Sequence, residues 1–133
     1  MRFLLDTCVL SDFARGDRST LAHIKEVSPE DLAISTVTAM EIDYGLRLNA
    51  RLARRLQPVM DAFIETVHLL PYDLAAAQAT AEFRTVLKQK GRPIGAYDAL
   101  IAGTALAEGL ILVTSNVREF SRVGALRIED WRR

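Results

Sequence analysis

The sequence predicts an α/β domain built on a short, parallel central sheet flanked by helices. Three observations carry that prediction. Four brief apolar runs, residues 3–5, 32–35, 67–70 and 110–113, lack polar alternation, as strands buried on both faces do. Longer stretches with helical spacing separate them, and strand–helix alternation is the signature of a parallel sheet. Two of the runs stop on polar groups, Asp6-Thr7 and Thr114-Ser115-Asn116. The C-terminal edge of a parallel sheet is where such folds place their ligands.

Composition bounds the rest. A chain of 133 residues reads as one domain, 1–133, large enough for a real core. Lys plus Arg and Asp plus Glu both total 17, so there is no global basic field and any nucleic-acid contact must be local. The single cysteine, Cys8, excludes an internal disulfide and a multi-cysteine zinc site, and suits a reducing cytosol. Asp6 interrupts the first apolar run, so no signal peptide is read. No run approaches the roughly 18 apolar residues of a membrane span. A cytoplasmic protein with no membrane contact is expected.

Each element has its own reason. Phe3–Leu5 is the first strand, and a short helix from Val9 to Ala14 ends at Gly16-Asp17. A second helix, from about Ser19 to Val27, is stopped by Ser28-Pro29. After the strand at Leu32–Ser35, hydroxyl side chains open a helix in which Met40, Tyr44 and Leu48 share one face. Asn49 to about Glu65 is helical, with Leu52, Leu56, Val59, Met60 and Phe63 as its apolar side. Pro58 predicts a kink or two pieces there. Val67–Leu70 reads as a strand, Asp73 to about Lys90 as an alanine-rich helix, and Tyr97 to Glu108 as a helix closed by Gly109. Leu110–Val113 is the clearest strand, and Leu126–Ile128 a small edge strand.

The chemistry-bearing residues gather at one edge. Asp6 ends the first strand, Glu41 lies in the first turns after the second, and Asp98 opens a helix leading back to the sheet. Small neighbours, Gly95, Ala96, Ala99, Ala102 and Gly103, let that helix approach the sheet closely. Three acids on one dry rim raise each other's pKa unless a cation is present, and Mg²⁺ or Mn²⁺ with oxygen ligands resolves the conflict. Each acid also has a plainer reading. Asp6 and Asp98 suit helix N-caps, Glu41 a helix's first turns, Asn116 a turn, and Glu119 a surface pair with Arg118 or Arg122. His23 and His68 lack metal-ligand spacing and read as structural, and Cys8 reads as a small buried filler. Arg51, Arg54 and Arg55, then Lys88, Lys90 and Arg92, are the densest basic clusters; RNA contact competes there with an ordinary solvated face.

Leu4-Leu5-Asp6-Thr7, Thr38-Ala39-Met40-Glu41, Tyr97-Asp98-Ala99-Leu100-Ile101-Ala102 and Val113–Phe120 stand in the order and spacing of a known family. Together they resemble PIN-domain ribonucleases, and more closely the VapC toxins of bacterial toxin–antitoxin pairs. The resemblance extends through the tail Gly124–Trp131 and implies a PIN-like fold. It also implies Mg²⁺-dependent hydrolysis of RNA, with initiator tRNA cut in its anticodon loop as the substrate among relatives with this tail. Carried over, Asp6, Glu41 and Asp98 are the catalytic acids and Asp6 and Asp98 the metal ligands. Thr7, Thr114, Asn116 and Glu119 are supporting residues, with Glu119 as a candidate fourth acid. A VapB-like antitoxin covering the cleft and a homodimer are implied as well, with Leu46, Leu48, Leu52 and Leu56 offered as a docking groove.

Two positions depart from that pattern: Cys8 stands where relatives usually carry Asn, and Ser115 where Asn is frequent. Asn116 also replaces an acid common in the wider family. Two other functions compete. A Mg²⁺-dependent phosphatase would want a second Asp where Cys8 stands and a lysine near the site. A non-catalytic binding module would use the acids only as helix caps. For a metal site, Asp6→Asn and Asp98→Asn are expected to abolish cleavage while leaving the metal-free protein at least as stable.

Overall fold

A computed structural model describes residues 1–132. Strands β1 (Phe3–Leu5), β2 (Leu32–Ser35), β3 (His68–Leu70), β4 (Ile111–Val113) and β5 (Ile128–Glu129) form one sheet in the order β3-β2-β1-β4-β5. All four pairings are parallel. Between them run α1 (Thr7–Ala14), α2 (Arg18–Glu26), α3 (Thr36–Arg47), α4 (Ala50–Thr66), α5 (Leu74–Gln89), α6 (Ala96–Glu108) and α7 (Val117–Phe120).

The strands alternate as the pleat requires and both faces are covered, except at the edge strand β3, whose His68 and Leu69 are exposed and not buried on both faces as the run 67–70 suggests. Phe3, Leu5, Ile34 and Val113 pack with Val9, Leu10 and Phe63 on one side of the sheet. Leu4, Ala33 and Leu112 pack with Ile101, Ala102 and Phe120 on the other. β1 sits at the centre of this double core, its three residues buried. From β1 the chain passes to β2 on one side, and it returns to β4 on the other. The crevice at the C-terminal ends of β1 and β4 is therefore the sheet's switch point, and the Asp6 N–H donates to Val113 O at 2.9 Å across it.

Several elements differ from the sequence reading. α1 starts at Thr7, because Asp6 caps it and the β1–α1 turn needs no further residues. α4 is continuous through Pro58. Pro58 is exposed, so the carbonyl it leaves unpaired one turn back faces water on the outer side of the helix. Val59 is also 42% exposed rather than part of the apolar side. α7 is a single turn with no periodicity for a sequence pattern to register. β5 falls at Ile128–Glu129, where it pairs with Leu112 and Val113.

Gly103 serves a different contact from the one anticipated. A Cβ there would stand 1.8 Å from Thr80 Oγ1 and 2.9 Å from Ala76 O, both on α5. The small residue lets α5 close on α6, while Ala99 and Ala102 are the buried small residues of the same helix. The tail is pinned on the opposite side. Trp131 is buried, meets Phe3 edge-on at 5.1 Å and stacks on His23 at 5.3 Å, and the Ser19 hydroxyl donates to its carbonyl at 2.8 Å. His23 is structural, as its spacing suggests. Among the described residues no helix is long and apolar enough to cross a membrane.

Candidate active site

The switch-point crevice gathers the acids that the sequence singles out. Asp6 is both things its position allows: the N-cap of α1 and a buried carboxylate, 4% exposed, at the end of β1. Its Oδ1 accepts the Thr7 N–H at 2.8 Å. Its Oδ2 accepts the Thr114 hydroxyl at 2.8 Å and the Cys8 thiol at 3.4 Å. Thr114 is fully buried at the end of β4, and its Oγ1 in turn accepts the Asn116 N–H at 3.0 Å.

Glu41 reaches the same place from α3. Ser35 caps that helix, its Oγ accepting the Thr38 N–H at 3.0 Å, which aims the first turns over the end of β1. The Thr7 hydroxyl donates to Glu41 Oε1 at 2.7 Å. Asp6, Thr7 and Glu41 thus form one row along the rim.

Asp98 stands opposite on α6. It is not the cap of that helix, which is Gly95, but a half-buried residue of its first turn. Burial first, then the charges of Asp6 and Glu119, a hydrogen bond to Glu119 and the charge of Glu41 push its carboxyl up to about 7. Glu119 turns inward. Its Oε1 accepts the Gly95 N–H at 2.7 Å and its Oε2 the Asn116 side-chain amide at 2.7 Å. The Gly95 N–H above all, then that amide, hold Glu119 below its ordinary range.

Two expectations are corrected here. Glu119 is more than a surface residue: Gly95 and Asn116 hold it, and the Arg122 charge adds to their effect while Arg122 Nη1 donates to Pro93 O at 2.8 Å. The Asn116 side chain reaches Glu119 and not the Asp6 side of the rim, because α7 turns it outward. Cys8 is more than a filler. It is half-buried, with its sulfur 3.2 Å from Ser115 Oγ, 3.4 Å from Ser115 N and 3.6 Å from Thr114 Oγ1. Burial and then the Asp6 charge push the thiol up, so it keeps its proton.

No three His, Cys, Asp or Glu side chains among the described residues form a ready-made metal-ligand set. The donor chemistry nevertheless fits a hard divalent cation. Carboxylate and hydroxyl oxygens dominate the rim, and after burial the charges of Asp6, Glu119 and Glu41 all raise Asp98, as in a set of acids that a cation would relieve.

The basic residues are more dispersed. Arg51, Arg54, Arg55, Lys88, Lys90 and Arg92 are all exposed. Arg55 lines a groove of about 390 Å³ that has Thr7 and Glu41 at its edge and Leu10, Leu46, Leu52, Leu56 and Met60 along its wall. Leu48 does not line that groove and is 70% exposed. Arg15, which the sequence reading missed, lines it too, and only its position just past the end of α1 could have suggested this.

A parallel sheet of this order with carboxylates from β1, α3 and α6 over its switch point defines the class, a PIN domain, and the PIN-domain family model matches residues 3–126. The chain belongs to that family, and within it to the VapC ribonucleases. It is 38% identical over 131 residues to the tRNA(fMet)-specific endonuclease VapC of Shigella flexneri, covering 98% of each chain. Its fold is similar to that in the crystal structure of DNA-bound VapBC from Salmonella typhimurium, with a TM-score of 0.91, 36% identity and 98% of each chain covered. VapBC2 from Rickettsia felis, bound to a promoter DNA fragment, gives a TM-score of 0.90 at 29% identity, covering 98% of this chain and 99% of that one.

Proposed function

We propose that this chain is the toxin of a VapBC-type toxin–antitoxin pair, an endoribonuclease that hydrolyses RNA phosphodiester bonds with Mg²⁺ as cofactor and Mn²⁺ able to replace it. One observation carries the reading: four carboxylates face one rim, and one of them, Asp98, is pushed up to about 7 by burial and then by the charges of Asp6, Glu119 and Glu41. Helix capping alone accounts for none of Glu41, Asp98 and Glu119 in that arrangement, which weighs against a binding module.

Asp6 and Asp98 would hold the cation, with Glu41 completing the oxygen donors. When bound, such an ion lowers the pKa of a coordinated water and neutralises charge that develops on the scissile phosphate. The protein's own groups do the positioning. The Thr7 N–H, the Thr114 hydroxyl and the Cys8 thiol fix the Asp6 carboxylate, and the Thr7 hydroxyl fixes Glu41 Oε1. Glu41 Oε2, which takes no part in that bond, is free to accept the proton of the attacking water. Glu119 holds the loop before α6 through Gly95 and so sets where Asp98 stands. Arg55, in the groove that has Glu41 at its edge, would draw the phosphate backbone toward a rim that otherwise repels it, with Arg15, paired to Asp12, beside it.

The 38% identity to a tRNA(fMet)-specific endonuclease supports initiator tRNA as the substrate, cut in its anticodon loop. A VapB-like antitoxin is the proposed partner. The apolar groove between α1, α3 and α4 would take an apolar antitoxin segment, and an arginine on it would pair with the acids at the groove's edge. A homodimer is proposed on the exposed stripe of α3, where Met40, Tyr44 and Leu48 are 41%, 62% and 70% exposed at helical spacing.

The test is cleavage of total RNA with Mg²⁺ and with chelator, followed by mapping of the new ends. The expected result is Mg²⁺-dependent cuts confined to initiator tRNA. Cleavage that survives chelation, or Asp6→Asn protein that cuts at the wild-type rate, would overturn the reading.

A further inference from the structure

Cys8 and Ser115, 107 positions apart in the chain, touch each other at the rim. Ser115 Oγ lies 3.2 Å and Ser115 N 3.4 Å from Cys8 Sγ, and the same sulfur lies 3.4 Å from Asp6 Oδ2. We propose that Cys8 and Ser115 form a single positioning pair that orients Asp6: the Cys8 S–H donates to Asp6 Oδ2 while its sulfur accepts the N–H and O–H of Ser115.

The donor count fixes the directions. An ionised Asp6 carboxylate only accepts, so the one proton on Cys8 goes to it. Ser115 N–H can only donate, and with the thiol proton spent the Ser115 hydroxyl has the sulfur as its acceptor. Ser115 therefore acts on Asp6 through Cys8 and not directly. Its position just beyond β4 ties the end of that strand to the first turn of α1, on either side of the carboxylate. The Thr114 hydroxyl, 2.8 Å from the same Oδ2, supplies the second donor, so the pair controls the carboxylate's rotation about its own axis. This inference concerns the acid at the centre of the proposed nuclease site and rests on that reading for its consequence, though not for its geometry.

Because Cys8 is the only cysteine, the S–H stretching band in the infrared reports this thiol alone. With metal-free protein, the band is expected well below the position of an unbonded thiol, and Asp6→Ala, which removes the acceptor, should move it back up. A wild-type band at the unbonded position would overturn the proposal whether or not the protein is a nuclease. The second measurement is Mn²⁺ affinity by electron paramagnetic resonance. Cys8→Ala should weaken binding about 10-fold or more, Cys8→Ser should restore part of it, and Ser115→Ala should add nothing further in the Cys8→Ala background. Wild-type affinity in Cys8→Ala, or losses that simply add in the double variant, would contradict the pair. If wild-type protein binds no Mn²⁺, the metal reading fails, and the infrared band still decides the positioning.

Discussion

Asp6 and Asp98 face each other across one rim, yet their surroundings are opposites. Asp6 is buried among donors, the Thr7 N–H, the Thr114 hydroxyl and the Cys8 thiol. Asp98 is half-buried among acids, and its hydrogen bond is to one of them, Glu119. The first carboxylate is fixed by the fold. The second is left without a cationic partner, and burial first, then the charges of Asp6, Glu119 and Glu41, raise its pKa to about 7. In the proposed metal site the contrast would separate two jobs: a rigid anchor, and an acceptor whose charge becomes favourable when a cation arrives.

The largest expected effect treats the two alike. Asp6→Asn and Asp98→Asn should each lower Mg²⁺-dependent RNA cleavage by orders of magnitude, since loss of a metal's charge stabilisation is worth several kcal/mol. A single-turnover cleavage assay reads this directly.

Stability should then divide them, and here the expectation that both variants leave the metal-free protein intact is revised. At Asp6 an amide nitrogen would replace one acceptor oxygen, leaving either the Thr7 N–H or the Thr114 hydroxyl facing a donor. That should cost about 1–3 kcal/mol in urea unfolding with chelator present. Asp98→Asn removes a charge from a like-charged set and should leave the metal-free protein as stable or more stable near pH 8. Equal losses in both would erase the distinction drawn between them.

The pH dependence follows from the same asymmetry. The Asp98 carboxyl rises from an ordinary 3.8 to about 7 on folding, so the native state binds more protons than the unfolded chain between those values. The stability it contributes is complete below pH 3.8 and is lost as pH rises through 7. Metal-free wild type should therefore lose stability over that window relative to Asp98→Asn. A difference between the two that stays flat with pH would contradict the assignment.

The smallest effect is at Glu119. Its Oε1 accepts the Gly95 N–H, and Glu119→Gln keeps an oxygen able to do so while removing one charge from Asp98's surroundings. Cleavage should fall only a few-fold, roughly what about 0.5–1 kcal/mol represents, with the Asp98 pKa lowered. A loss as large as that of Asp98→Asn would make Glu119 a fourth essential acid.

Much of this arrangement can be read from residues in order. Apolar runs that stop on Asp6 and Thr114 locate the strands and their functional edge, because strand burial and strand ends are local signals. Pro58 misleads because its consequence depends on which side of α4 faces water, and a helix face is assigned only by packing. The orientation of Glu119 toward Gly95, and of Cys8 toward Ser115, joins residues 24 and 107 positions apart. No local pattern encodes such contacts. Gly103 marks a close approach in the sequence, but only the fold shows that α5, through Thr80, is the element approached.

Calorimetric titration with Mn²⁺ near pH 7, in buffers of different ionisation enthalpy, tests the central contrast most directly. Asp98 is about half protonated there, and a cation that ionises it displaces that proton. Wild type should release about half a proton per ion bound, Asp98→Asn should release almost none, and release should decline as the starting pH is raised toward 9. Binding with no proton release in wild type, or the same release from wild type and Asp98→Asn, would contradict the account.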